Sequence, residues 1–227
     1  MNIAINTLGP SKVKAGVGNY VCHVVHQLAL LDKVNTYYII INKDNMHQFN
    51  DLPQHFRTIR APTLTTNKTL RILWEQIAIP YLCHTHNIDV LHSPGFVAPL
   101  FLPCRSVVTI HDMTFFTHPD VHEQSKIAYF KLMIPPTVRK ADIVIADSHA
   151  THKDICSLIN VPERKVRTIP LAAEMKQINV GEARDFLRDT YDITNPFILF
   201  VGMIEPRKNV KGIIEAYSRL HTSHLLV

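Results

Sequence analysis

The feature that most constrains this chain is an alternation of short apolar runs with helix-period segments, repeated from the first residues onward. Asn2–Asn6 (NIAIN), Thr36–Ile41 (TYYIII), Asp89–His92, Ser106–Ile110, Ile143–Ala146 and Val166–Ile169 have the length and β-branched content of buried strands. Thr36–Ile41 shows no polar face, which is how a strand reads when both of its sides are covered. Between these runs, Asn19–Leu31 carries Val21, Val24, Val25, Leu28 and Leu31 at helical spacing, and Lys68–His86 sets Leu70, Leu73, Trp74 and Ile77 on one side. Helical patterns recur at Ser148–Leu158 and at Glu123–Lys140, the second expected to break at Pro135-Pro136. Strand and crossover helix in steady alternation predict an α/β protein with a Rossmann-like, doubly wound parallel sheet.

The pattern changes after residue 171. Leu171–Asn195 is more polar, carries no strand and has one helical stretch around Glu182–Thr190. Phe197–Val201 (FILFV) then reads as a new buried strand, followed by Gly202, a polar loop Glu205–Asn209, an amphipathic helix through Leu220, and Leu225–Val227 as another strand opening. One strand and one helix cannot bury both faces of a sheet. The expected organisation is therefore a first domain over 1–171, a connector over 172–195, and an incomplete second Rossmann-like domain over 196–227.

Composition narrows the functional classes. Hydrophobic residues make up 46% and charged residues 19%, a globular balance that excludes a disordered or fibrous chain. Lys and Arg exceed Asp and Glu by 24 to 19, and the excess is spread along the chain. That suits a phosphate-bearing ligand or an anionic membrane surface, and lacks the clustered basic footprint of a nucleic-acid binder. The 14 histidines and 4 cysteines form no HExxH, no CxxC and no zinc spacing, which argues against a metal site and for reduced thiols in a cytoplasmic protein. No apolar run approaches the roughly 18–20 residues of a membrane-spanning helix, and the N-terminus has no signal-peptide pattern. A soluble protein with at most peripheral membrane contact is expected.

Three segments fit a ligand site. Gly16-Val17-Gly18 lies between the first strand and the first helix, where glycines let backbone N–H groups approach a phosphate at the positive end of the helix. It fails the dinucleotide fingerprint, because Val21 takes the third glycine's place and no acidic residue closes the second strand; a plain flexible turn stays open. His111-Asp112 follows the strand ending at Ile110, at the carboxyl end where open α/β sheets set ligand-contacting side chains, with Asp112 placed to orient the imidazole. A polar turn explains the pair equally, and no GxSxG elbow supports a hydrolase triad. Arg207-Lys208 precedes a helix, where two cations oppose the helix dipole unless an anion such as a diphosphate compensates them; the commoner fate of such a pair is a solvated turn. Asp147-Ser148 reads first as a helix N-cap.

The order of these segments carries more than any one of them. Residues 15–20 (AGVGNY), 89–94 (DVLHSP), 108–113 (VTIHDM), 141–148 (ADIVIADS) and 201–209 (VGMIEPRKN) together resemble the family 4, or group 1, retaining glycosyltransferases of the GT-B fold. The resemblance implies an acceptor domain facing a nucleotide-sugar domain across a cleft, with a UDP- or GDP-linked donor, no cofactor and no dedicated metal. It implies Gly16 and Gly18 near the donor phosphates, His111 with Asp112 at the transferred sugar, and Arg207 and Lys208 neutralising the diphosphate leaving group. Two departures stand out: Ala15 where many members have a first glycine, and Met203 where many have arginine. The family's E-x7-E segment has no counterpart here, so the expected activity of this chain alone is low. The expected function is hexosyl transfer to a glycan or lipid-linked glycan, cytoplasmic or peripheral at the inner membrane face. A non-catalytic acceptor-binding module or half-enzyme with a complementing chain, and a UDP-sugar epimerase, are the alternatives.

Overall fold

The computed structural model describes residues 1–9, 16–173, 178–202 and 204–227, with Arg207 described in its backbone only. Ala15 and Met203, the two departures noted above, lie outside the described residues. The chain divides into two units, Met1–Leu171 and Ala172–Val227.

The first unit is built on seven parallel strands: β1 (Asn2–Asn6), β2 (Thr36–Ile41), β3 (Phe56–Arg60), β4 (Val90–Ser93), β5 (Arg105–Ile110), β6 (Ile143–Ala146) and β7 (Val166–Thr168). Their order across the sheet is β3-β2-β1-β4-β5-β6-β7. The doubly wound parallel sheet expected from the alternation is present. The order reverses between β1 and β4, the switch point beside which such sheets bind ligands at their carboxyl ends. The strand β3 is absent from the sequence reading. Its FRTIR run exposes Arg57 and Arg60, charges that suit the edge of a sheet and hide the strand from an apolar search.

Strand alternation sorts the core into two faces. Along β2, Tyr37, Ile39 and Ile41 join Ile5 under α1 (Val17–Leu31), which contributes Val25 and Ala29. Tyr38 and Ile40 point the other way, to Ala4, Leu91 and to Ile79 and Cys83 of α2 (Lys68–Thr85). A short α3 (Thr114–Thr117) leads into α4 (Gln124–Lys140), and β6 leads into α5 (His149–Ile159). Ile134 and Val138 of α4 and Ile155 and Ile159 of α5 pack on Val108, Ile110, Val144 and Ala146.

One expectation is corrected here. The helix α4 runs through Pro135 and Pro136 without breaking. The two missing N–H donors leave the carbonyls of Lys131 and Leu132 without their usual partners, and both residues are exposed, so water can satisfy those carbonyls. Ile134, Thr137 and Val138 are fully buried on the opposite side, and that packing holds the helix together.

The second unit holds α6 (Val180–Tyr191), a parallel pair β8 (Phe197–Ile198) and β9 (Leu225–Leu226), and α7 (Val210–Ser218). The strand expected over Phe197–Val201 pairs regularly at only two residues and is not buried, because it has a single neighbour; Leu199 and Val201 are exposed. Pro206–Lys208 form one 3-10 turn, and Asn209 in the left-handed region caps α7 by accepting from Gly212 N–H at 3.3 Å. A Cβ at residue 212 would sit 2.5 Å from the Asn209 amide, so that cap requires glycine.

Candidate active site

The carboxyl ends of β4, β5 and β6 and the first turn of α1 converge on His111. Its Nδ1 lies 3.2 Å from Asp147 Oδ2 and its Nε2 2.9 Å from the Pro94 carbonyl. Each ring nitrogen thus faces an oxygen that can accept a hydrogen bond. The side chains of His111 and Asp147 are only 10% and 11% exposed, which keeps this charge-assisted contact out of bulk solvent. Tyr20 meets the imidazole edge-on at 4.9 Å between centroids, and Phe96 does so at 5.3 Å. Phe96 holds a φ of 70°, and its N–H donates to the Thr109 carbonyl at 3.0 Å, so the turn after β4 is tied down where it meets His111.

Sequence reasoning gave the orienting role to Asp112, and the structure assigns it to Asp147. The Asp112 carboxylate accepts from both the N–H and the hydroxyl of Thr114, closing the turn into α3. Asp147 stands 36 positions away in the chain, at the end of the neighbouring strand β6, and only the parallel pairing of β5 with β6 brings it to His111. The Asp147-Ser148 pair keeps its capping role too: the Ser148 hydroxyl accepts from Thr151 N–H at 3.1 Å. Thr151 then donates to the His111 carbonyl at 3.0 Å, so the cap of α5 also fixes the backbone of the histidine.

A second layer lies beneath the ring. Thr109 Oγ1 sits 3.3 Å from the Tyr20 hydroxyl and 2.9 Å from His92 Nε2. Burial first, and then the charge of His111, push the His92 imidazole down to about 4, so it stays neutral near pH 7. Burial likewise pushes the Tyr20 phenol up. The Ser93 hydroxyl, at the end of β4 and 1% exposed, has no hydrogen-bond partner among the described residues. Tyr20, His92, Ser93, Thr109 and Asp147 all stand inside the segments that carry the family resemblance, which was the available signal; which of them meet around the ring needed the sheet register.

Gly16 immediately precedes α1 with φ 46° and ψ −108°, a backbone state that favours glycine, and no side chain caps the helix there. Gly18 stands in the first turn of α1, two residues before Tyr20. The Gly16–Gly18 turn and His111 are thus brought to one end of one sheet. Arg207 and Lys208 belong to the second unit; Lys208 is exposed on the 3-10 turn, and the side chain of Arg207 lies outside the described residues. Among the described residues no three His, Cys, Asp or Glu side chains group as a metal site, and no helix is long and apolar enough to cross a membrane.

The family model of Glycosyltransferase Family 4 matches residues 15–176, the stretch that contains the whole His111 environment. The chain belongs to Glycosyltransferase Family 4. It is similar to the O-antigen chain mannosyltransferase B of Escherichia coli, 29% identical over 133 residues that make up 58% of this chain and 35% of the relative. It is also similar to the N-acetylgalactosamine-N,N'-diacetylbacillosaminyl-diphospho-undecaprenol 4-alpha-N-acetylgalactosaminyltransferase of Campylobacter jejuni, 22% identical over 204 residues, 86% of this chain and 54% of that one. Among solved structures, Anabaena HepE in complex with UDP-glucose superposes on 100% of this chain and 60% of its own with a TM-score of 0.66 and 14% identity, a likeness of fold. Both curated relatives are thus matched over about half their length or less.

Proposed function

We propose that this chain serves the transfer of a sugar from a nucleotide-diphospho-sugar, UDP- or GDP-linked, to a glycan or lipid-linked glycan acceptor with retention of configuration. The observation that carries this reading is His111, clamped between Asp147 and Pro94 at the carboxyl end of β5, next to the sheet's switch point. An imidazole fixed at that position is a polar group placed for the charge that develops as the sugar leaves its diphosphate, with Nε2 exchanging the Pro94 carbonyl for the sugar. Gly16 and Gly18 offer backbone N–H groups to the donor phosphates, and Arg207 and Lys208 supply positive charge for the leaving group. Asp147 is the positioning residue for His111, and Asp112 shapes the turn beside it. The relatives' names support an O-antigen or undecaprenyl-linked acceptor, and hence work at the cytoplasmic face of a membrane.

A second reading rests on the second unit, where no described residue is buried. A two-stranded pair with exposed apolar side chains suits a half that a separate donor-binding chain completes, leaving this chain to hold the acceptor. Mass-resolved transfer from a panel of UDP- and GDP-sugars to O-antigen and undecaprenyl-diphosphate glycans, run beside acceptor binding, separates the two. Transfer that falls on the order of 10²–10⁴-fold in His111→Ala supports the first reading. Acceptor binding without turnover supports the second. Transfer indifferent to His111, or epimerised sugar released without acceptor, overturns both.

A further inference from the structure

The apolar layer between α2 and the sheet ends in polar side chains at the end of the sheet where His111 stands. Ala4 of β1, Leu91 of β4 and Ile79 of α2 belong to that layer. Two positions further along the strands, and so on the same face, come Asn6, the last residue of β1, and Ser93, the last of β4. Glu75 stands one turn before Ile79 in α2. That helix leaves the carboxyl end of β3 and runs back to the start of β4, so its first turns lie at the carboxyl end of the sheet. Asn6, Ser93 and Glu75 are 7%, 1% and 8% exposed, and β1 and β4 are the pair at which the strand order reverses.

This polar layer is not satisfied from within. Arg71, one turn before Glu75, holds its Nε 3.6 Å from Glu75 Oε1, too far for a hydrogen bond. Neither atom has a hydrogen-bond partner among the described residues, and neither does the Ser93 hydroxyl. A pair that served only the fold would close to about 2.8 Å, because a buried carboxylate without hydrogen bonds is costly. The pair also keeps an opening to solvent, since the side chains of Arg71 and Glu75 are 20% and 11% exposed. Unmet donors and acceptors of this kind, at the switch point of a parallel sheet, are what a polar ligand completes.

We propose that Arg71 and Glu75 bind the terminal sugar of the acceptor through its hydroxyls, with the Ser93 hydroxyl as a further partner deeper in the crevice. A sugar hydroxyl suits the gap between the pair: its O–H donates to the Glu75 carboxylate while its oxygen accepts from the Arg71 guanidinium. The occupant is a neutral ring and not a phosphate, because the carboxylate beside Arg71 repels an anion. The same charge disfavours the donor's diphosphate, which leaves the acceptor as the sugar that enters. The inference rests on the transferase reading of this chain.

The test uses the full chain and neutral probes (methyl α-mannoside, methyl α-glucoside and N-acetylgalactosamine) titrated by saturation-transfer NMR. At least one should bind, and Glu75→Gln and Arg71→Lys should each raise its half-saturation concentration about tenfold or more. Both variants should keep the urea midpoint, because Arg71 Nε and Glu75 Oε1 have no hydrogen bond to lose. A lowered midpoint with unchanged binding marks a purely structural pair and overturns the proposal. A second readout needs no variant: phenylglyoxal on Arg71 blocks trypsin there and joins Thr69–Arg71 to Ile72–Arg105. A glycoside at about five times its half-saturation should slow that modification about sixfold by mass action, and an unchanged rate overturns the proposal. Binding of none of the probes, or displacement of the bound glycoside by inorganic phosphate at constant ionic strength, overturns it too. Each of these failures leaves the His111 reading standing, whereas transfer indifferent to His111 sinks that reading without touching the glycoside result.

Discussion

The two units contain similar apolar runs and differ in what they hide. Every residue buried among the described ones lies between Ala4 and Val166, in the seven-stranded unit. In the second unit Phe186 is 58% exposed, Tyr191 62% and Val201 82%. A central strand such as β2 has a paired strand on each side and a packed layer on each face, whereas β8 has one partner two residues long. Hydrophobic composition therefore supplies the capacity for burial, and the number of neighbours decides whether burial occurs.

The largest effect should separate the units outright. Ile110→Ala, at a fully buried position, should lower unfolding stability by about 2–5 kcal/mol, while Val201→Ala should change it by no more than about 0.5 kcal/mol. Urea unfolding of each variant checks this, and equal losses would break the contrast. A polar counterpart follows at His111: Asp147→Ala should cost about 1–3 kcal/mol, because the imidazole Nδ1 is left buried without its acceptor.

Acid should act through the first unit. Unfolded His92 takes up a proton near its ordinary 6.5, and folded His92 holds off until about 4. The unfolded state thus binds more protons between those values, so the stability that neutral His92 contributes above pH 6.5 is lost as pH falls toward 4. His92→Gln should flatten the urea midpoint against pH in that window; an unchanged slope would show that another group titrates. The smallest effect compares two caps. Ser148→Ala should cost about 1 kcal/mol of global stability, whereas removing the Asn209 cap should speed hydrogen exchange in α7 alone.

Much of the architecture was legible because period-2 and period-3.6 patterns are local properties. The strands β1, β2, β4, β5, β6 and β7 announce themselves by apolar β-branched runs, and the order of the motifs named the family. The misses have physical causes. Edge strand β3 is polar because one of its sides has no neighbour, and α4 crosses Pro135-Pro136 because tertiary packing outweighs two lost hydrogen bonds.

The chain's residue order by itself determined the alternating α/β plan, the change of character near residue 171, and His111 as the side chain to watch. Only the tertiary structure decided which carboxylate serves that histidine. Asp112 is adjacent in sequence, yet its own turn holds it on Thr114, while the β5–β6 register carries Asp147 across 36 positions to the ring. Local periodicity is written residue by residue, but a contact between distant side chains exists only once the sheet has set its strand order and register.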